Sequence, residues 1–283
     1  MDFSPELVER GYNNRAAVAD HPRFIAQYTS LSEAAREQYA PQRDVRYGPN
    51  PREVLDLFVP PGTPRGTFVF IHGGYWRALS KDDFSFVAGP MVEQGIAVAV
   101  IDYDLCPRVP ISTIVDECRR AMVWVVREGP KFGAVAEPVV VAGHSAGGHL
   151  AALLLTCRWP TAANDLPANL LAGGLSISGL FDLEPIRQTP FLQPDLRLTP
   201  AAVRRLSPAF LPAPSVPLYA TVGGDETEEF LRQNELIRDR WGAAAVPVCE
   251  AVPTFHHLSV LDDLTDPHGR LHRLALQLLR LAA

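Results

Sequence analysis

The stretch Pro138-Val139-Val140-Val141-Ala142-Gly143-His144-Ser145-Ala146-Gly147-Gly148-His149-Leu150 decides how the rest of the chain reads. Pro138 to Ala142 is an apolar, β-branched run of the kind that forms a buried strand. Gly148 to Cys157 is too long and too rich in Ala and Leu for a second strand and reads as a helix. Between them Gly143-His144-Ser145-Ala146-Gly147 fits G-x-S-x-G. A strand, a one-residue turn and a helix are the context that a nucleophile elbow requires. Such a turn strains the serine backbone and projects its hydroxyl from the sheet. The free N–H groups of the helix N-terminus then point at whatever charge develops there. The outer glycines remove side chains where helix and strand approach closely. A plain Gly/Ser turn between a buried strand and a helix would look the same, so the serine needs partners from elsewhere in the chain.

Working outward, Thr67 to Ile71 and Ile96 to Ile101 are continuous apolar strands, as expected where both faces are covered. Further strands are expected at Asp44 to Tyr47, Val54 to Val59, Gly174 to Ile177, Val216 to Val222 and Val246 to Val252. Helices are expected at Ser4 to Tyr12, Ser32 to Tyr39, Ile111 to Arg127 and Glu226 to Trp241, with a mostly helical tail from Ser259 to Leu281 broken at Pro267. Strands alternating with helices give a mostly parallel sheet covered on both faces, with the serine at the carboxyl end of a central strand. Residues 1–42 carry no sheet pattern and read as a helical cap. Residues 182–214 are proline-rich and irregular and read as a lid-like insertion within one domain, 1–283.

Composition narrows the function. The 283 residues are 47% apolar and carry a net charge of −6 with no basic run, which argues against nucleic acid as a partner. No uncharged stretch reaches the ~18 apolar residues of a membrane span, and Met1 to Arg15 has no apolar core of a signal peptide. Cys106, Cys118, Cys157 and Cys249 form no C-x-x-C pair and read as free thiols in a reducing compartment, hence a cytoplasmic location. Nothing in the sequence sets the oligomeric state, and a homodimer is compatible with it.

A serine hydroxyl needs a base to take its proton, and that base an acid to orient it. Asp225 is the favoured acid because it follows the Val216 to Val222 strand through Gly223-Gly224. Glu226 and Glu228 are rivals, but both are placed in a first helical turn, where acids are common for dipole reasons. The base is His257 or His256, both between the last strand and the final helix. His257 is favoured, with His256 lining the pocket. His149 is expected to be structural, and His21, His268 and His272 solvated. Backbone N–H groups of Gly73, Gly74 and Ala146 are the expected oxyanion donors, with His72 anchoring the glycine loop.

His72-Gly73-Gly74 together with Gly143-His144-Ser145-Ala146-Gly147-Gly148 resembles the α/β-hydrolases of the hormone-sensitive-lipase-like esterase group. The extension Tyr75-Trp76, with Tyr103-Asp104-Leu105-Cys106-Pro107 and Tyr12-Asn13-Asn14-Arg15, is similar to the kynurenine formamidases, or arylformamidases, of tryptophan catabolism. The resemblance spans Tyr12 to the final helix. It implies the α/β-hydrolase fold, a Ser145–Asp225–His257 triad, no metal and no cofactor. It also implies a small-molecule substrate, an N-formyl arylamine such as N-formylkynurenine. A carboxylesterase of short or aryl esters is the alternative, and a catalytically inactive ligand-binding homologue a further one. Tyr75, Trp76 and His144 are candidates to crowd the acyl group or line the pocket. Phe181, Phe191 and Phe210 are candidates to stack on an aromatic ring. Arg77, Arg187 and Arg197 are unranked candidates for a substrate carboxylate.

Overall fold

The protein, seen in a computed structural model, is described over residues 4–162 and 164–280. Its centre is one eight-stranded sheet. The strands are β1 (Gln42–Arg46), β2 (Val54–Phe58), β3 (Thr67–Ile71), β4 (Ala97–Ile101), β5 (Val139–His144), β6 (Gly173–Ile177), β7 (Leu218–Gly223) and β8 (Val248–Val252). They run in the order β1-β2-β4-β3-β5-β6-β7-β8. The β1–β2 and β2–β4 pairs are antiparallel, and every pair from β4 to β8 is parallel.

Three helices precede the sheet: α1 (Pro5–Tyr12), α2 (Asn14–Ala17) and α3 (His21–Tyr39). The crossovers supply α4 (Ala88–Glu93), α5 (Ile111–Arg127), α6 (Ala146–Leu155) and α7 (Trp159–Ala162). The proline-rich stretch forms α8 (Glu184–Gln188), α9 (Gln193–Leu196) and α10 (Pro200–Leu206). Then come α11 (Glu228–Ala245), α12 (Val260–Thr265) and α13 (Arg270–Leu278).

Side-chain alternation explains why the central strands are apolar throughout. In β3, Val69 and Ile71 pack with α5, α6 and α11 on one face. Phe68 and Phe70 pack with α4, α12 and α13 on the other. All four are fully buried, so both faces of the strand are covered by apolar packing there.

The strands and α5 fall where the sequence places them, within a residue or two. Two helices differ. α3 begins at His21 rather than Ser32, with Pro22 in its first turn. Only Tyr28, Ser32 and Ala35 of its nineteen residues are buried, so its apolar stripe is too thin to read. The tail divides into α12 and α13 around Pro267, and Leu281 lies outside the described residues. His268 is exposed as expected, but His272 is buried, with Nδ1–H donating to Leu264 O, and burial holds its pKa down.

His149 is structural, as expected. It lies in α6 with the edge of Trp76 packed against its ring at 4.9 Å, and its Nε2–H donates to Leu206 O at 2.7 Å, tying α6 to the end of α10. Full burial pushes its pKa down to about 4. Below pH ~6.5 the unfolded chain therefore takes up a proton at this residue that the folded chain refuses until about pH 4. Stability falls as pH drops through that window. Thermal unfolding followed from pH 7.5 to 4.5 should show a shallower loss for His149→Gln than for the wild type, and equal slopes would contradict this.

Candidate active site

β5 ends in Gly143 and His144, and α6 starts at Ala146, leaving Ser145 alone to reverse the chain. It does so at φ 57°, ψ −118°, a conformation costing on the order of 1–3 kcal/mol for a residue with a side chain. Its N–H donates to Ile177 O at 2.8 Å, which fixes the elbow to β6. Only glycine fits two residues on, because a Cβ on Gly147 would run into the Ile71 carbonyl of β3.

His257 lies between β8 and α12, as expected, but its partner is a different acid from the one the sequence favours. The Nδ1–H donates to Glu226 Oε2 at 2.6 Å. Glu226 Oε1 accepts the Gly223 N–H at 2.8 Å and the Ser178 hydroxyl at 2.5 Å, and the carboxylate is wholly buried. Asp225 is exposed, and the bond it makes is through its backbone N–H to Phe255 O at 2.9 Å. The correction has a local cause. β7 runs one residue further than expected, and α11 begins at Glu228 with Thr227 as its cap. Glu226 thus lies in the loop ahead of the cap rather than in the first helical turn. The Gly224–Asp225 turn faces outward and delivers the next side chain to the imidazole. His144 completes the clamp, its Nε2–H donating to His257 O at 2.8 Å. Burial holds the His144 ring neutral, with its pKa well below the usual histidine range.

The loop after β3 lies against the elbow: a Cβ on Gly73 would sit 3.3 Å from that of Ser145. Gly74 has φ 107°, which disfavours any other residue there. The N–H groups of Gly73, Gly74 and Ala146 have no protein acceptor among the described residues and are available as oxyanion donors. His72 anchors this loop, as expected. Its ring stacks on Tyr103 at 4.1 Å, with Nδ1 2.7 Å from Gly73 O and Nε2 3.1 Å from Asp102 Oδ1. Asp102 is in turn paired with Arg52 at 2.7 Å.

Ser145, His144 and His257 line a cavity of about 320 Å³ together with Gly73, Gly74 and Tyr75. The N-terminal segment closes one side through Tyr12, Arg15, Ile25 and Tyr28, and His21, expected to be solvated, also lines it. Of the expected pocket residues, Tyr75, His144 and Phe191 are in place. Trp76 is not: it is fully buried against His149. Phe181 is core, and its N–H donates to Gln233. Phe210 is half exposed, with Arg240 over its ring. His256 lines no part of the cavity. Its Nδ1 accepts the N–H groups of Leu258 and Ser259, which shapes the turn into α12, and Phe24 packs edge-on to it. Sequence reasoning missed Tyr12 and Tyr28 as lining, although Tyr12 belongs to the Tyr-Asn-Asn-Arg stretch that carries part of the resemblance. Among the described residues no group of three or more His, Cys, Asp or Glu could hold a metal ion.

Parallel strands that feed a serine elbow, an acid after β7 and an imidazole after β8 make this an α/β-hydrolase fold. Residues 55–165 match the BD-FAE family model. Kynurenine formamidase of Danio rerio is 31% identical over 90% of this chain and 87% of its own. That of Salmo salar is 29% identical over 98% and 94%. A solved structure from Silicibacter, provisionally described as a thioesterase, superposes with a TM-score of 0.83 at 30% identity, covering 93% of this chain and 97% of the other. The chain belongs to the kynurenine formamidase family and is a hydrolase.

The pairing of Glu226 rather than Asp225 with His257 has a direct kinetic consequence. Glu226→Ala should lower kcat on a p-nitrophenyl ester by about 10³–10⁴, the size of effect seen when the acid of such a triad is lost. Asp225→Ala should stay within about threefold of wild type, since it touches neither ring nor serine. The reverse ranking would reinstate Asp225.

Proposed function

We propose that the protein hydrolyses the formyl group of an N-formyl arylamine, N-formylkynurenine being the substrate that its family relatives suggest. The observation that carries this reading is the near full-length match to kynurenine formamidases. The cavity agrees with it. Tyr75 is held rigidly by its hydroxyl, which donates to Tyr12 O at 2.6 Å, and Phe191 packs edge-on to it at 6.2 Å. A fixed ring beside the serine suits the smallest acyl group, and the apolar wall of Tyr75 and Phe191 suits an aromatic leaving group.

In the reaction, Ser145 Oγ attacks the formyl carbon as His257 Nε2 takes its proton. Glu226 keeps the proton on Nδ1 and stabilises the imidazolium. The oxyanion sits on the N–H groups of Gly73, Gly74 and Ala146. His257 then gives its proton to the aryl nitrogen, the C–N bond breaks and the arylamine leaves. Water adds to the formyl-serine with His257 again as base, releasing formate and the free hydroxyl. The four cysteines are free thiols, which fits a reducing, cytoplasmic setting.

The test compares kcat/KM on N-formylkynurenine and on a series of p-nitrophenyl esters. The formamide should be at least as good a substrate as the best ester, and rates should fall as the acyl chain lengthens. Esters turned over orders of magnitude faster would replace this reading with a carboxylesterase. Ser145→Ala should remove activity on either class by about 10⁶-fold.

A further inference from the structure

The charge lining the cavity is one-sided. None of its lining residues is an aspartate or glutamate, although acids outnumber bases in the chain. Glu226 sits behind His257, fully buried. Two arginines line the cavity, Arg15 and Arg77. Arg77 is already engaged: its Nη1–H groups donate to Phe191 O at 2.9 Å and Asp195 Oδ2 at 2.5 Å, so it holds the loop that carries Phe191. Arg187 pairs with Glu184, and Arg197 donates to Pro194 O. Neither lines this cavity. Arg15 differs from all three. Among the described residues its guanidinium has no carboxylate and no carbonyl partner. It stands on α2, a single turn with no buried residue, beside Asn14, which also lines the cavity and whose side chain has no hydrogen-bond partner among the described residues.

We propose that Arg15 forms an anion subsite at the N-terminal side of the cavity, and that the enzyme selects substrates whose leaving amine carries a carboxylate. An exposed guanidinium at the rim of a cavity whose lining includes no carboxylate favours an anion there. Its planar fork matches a carboxylate with two parallel hydrogen bonds. The leaving-group side is where this charge belongs, because a formyl group has no room for one. The subsite rests on the formamidase reading for its preferred substrate but not for its existence, since a carboxylate on the leaving phenol of an ester would be read by the same residue.

The experiment uses two substrate pairs that differ only in charge: N-formylkynurenine and its carboxamide, and 3-(2-acetoxyphenyl)propanoate and its carboxamide. For wild-type enzyme kcat/KM should favour the acid over the amide by about 10- to 100-fold, the span of one hydrogen bond to a charged group. The difference should lie mainly in KM and shrink with added salt. Arg15→Gln should bring the ratio close to one, and Arg15→Lys should keep part of it. If neither formamide is turned over while the esters are, the formamidase reading fails, and the ester pair alone decides the subsite. A wild-type ratio near one, or the same ratio in wild type and Arg15→Gln, overturns the subsite. If Arg15→Gln does not fold, Arg15→Lys with the salt dependence decides in its place.

Discussion

A single residue, Ser145, has to turn the chain from β5 into α6, and most of the site follows from that constraint. The turn can close only if α6 rides directly on β3, which leaves no space for a side chain at Gly147. The backbone strain at Ser145 is held by neighbours rather than relieved. The Ser145 N–H is bonded to β6, and the following ten residues of α6 are all buried. The strained hydroxyl is thereby exposed to the cavity while everything beneath it is packed.

The same close approach brings the β3 loop against the elbow, and this sets Ser145 beside the N–H groups proposed as oxyanion donors. Keeping the loop there requires a polar chain that runs from the half-buried Arg52 to the buried Asp102 and His72, with Tyr103 stacked on the imidazole and donating its hydroxyl to His72 O. Buried polar networks are costly unless satisfied, and this one orders the loop because each member has a partner. Glu226 is handled alike. Two donors fix one oxygen, which leaves the other free to accept from His257. The Ser178 hydroxyl that supplies one of those donors comes from a residue with positive φ at the end of β6.

Much of this was legible in the chain. Continuous apolar strands, the elbow and the glycine pair are set by local sequence, because burial on both sheet faces and close backbone approach each exclude most residue types. The acid was not legible to one residue. Asp225 and Glu226 share the loop, and only the path of the Gly223–Gly224 turn, which packs beneath Phe255 and Pro253, decides which side chain points inward. The aromatics show the same limit. Trp76 and Phe181 are pocket-like by sequence position, yet they are core because α6 and α11 lie over them. Tyr12 and Tyr28, far away in sequence, reach the cavity because the first three helices fold back across it. The extent of α3 was hidden for a related reason: a helix lying across the edge of a cavity buries too few residues to show a periodic stripe.

The central claim is that an imidazole backed by Glu226 activates the strained serine. Reaction with a fluorophosphonate, followed by intact mass and peptide mapping, tests it most directly. One adduct per chain, on Ser145, forming rapidly in the wild type and at least about 100-fold more slowly in His257→Ala, is the predicted result. A folded protein that stays unlabelled, or an adduct on any other residue, would contradict it.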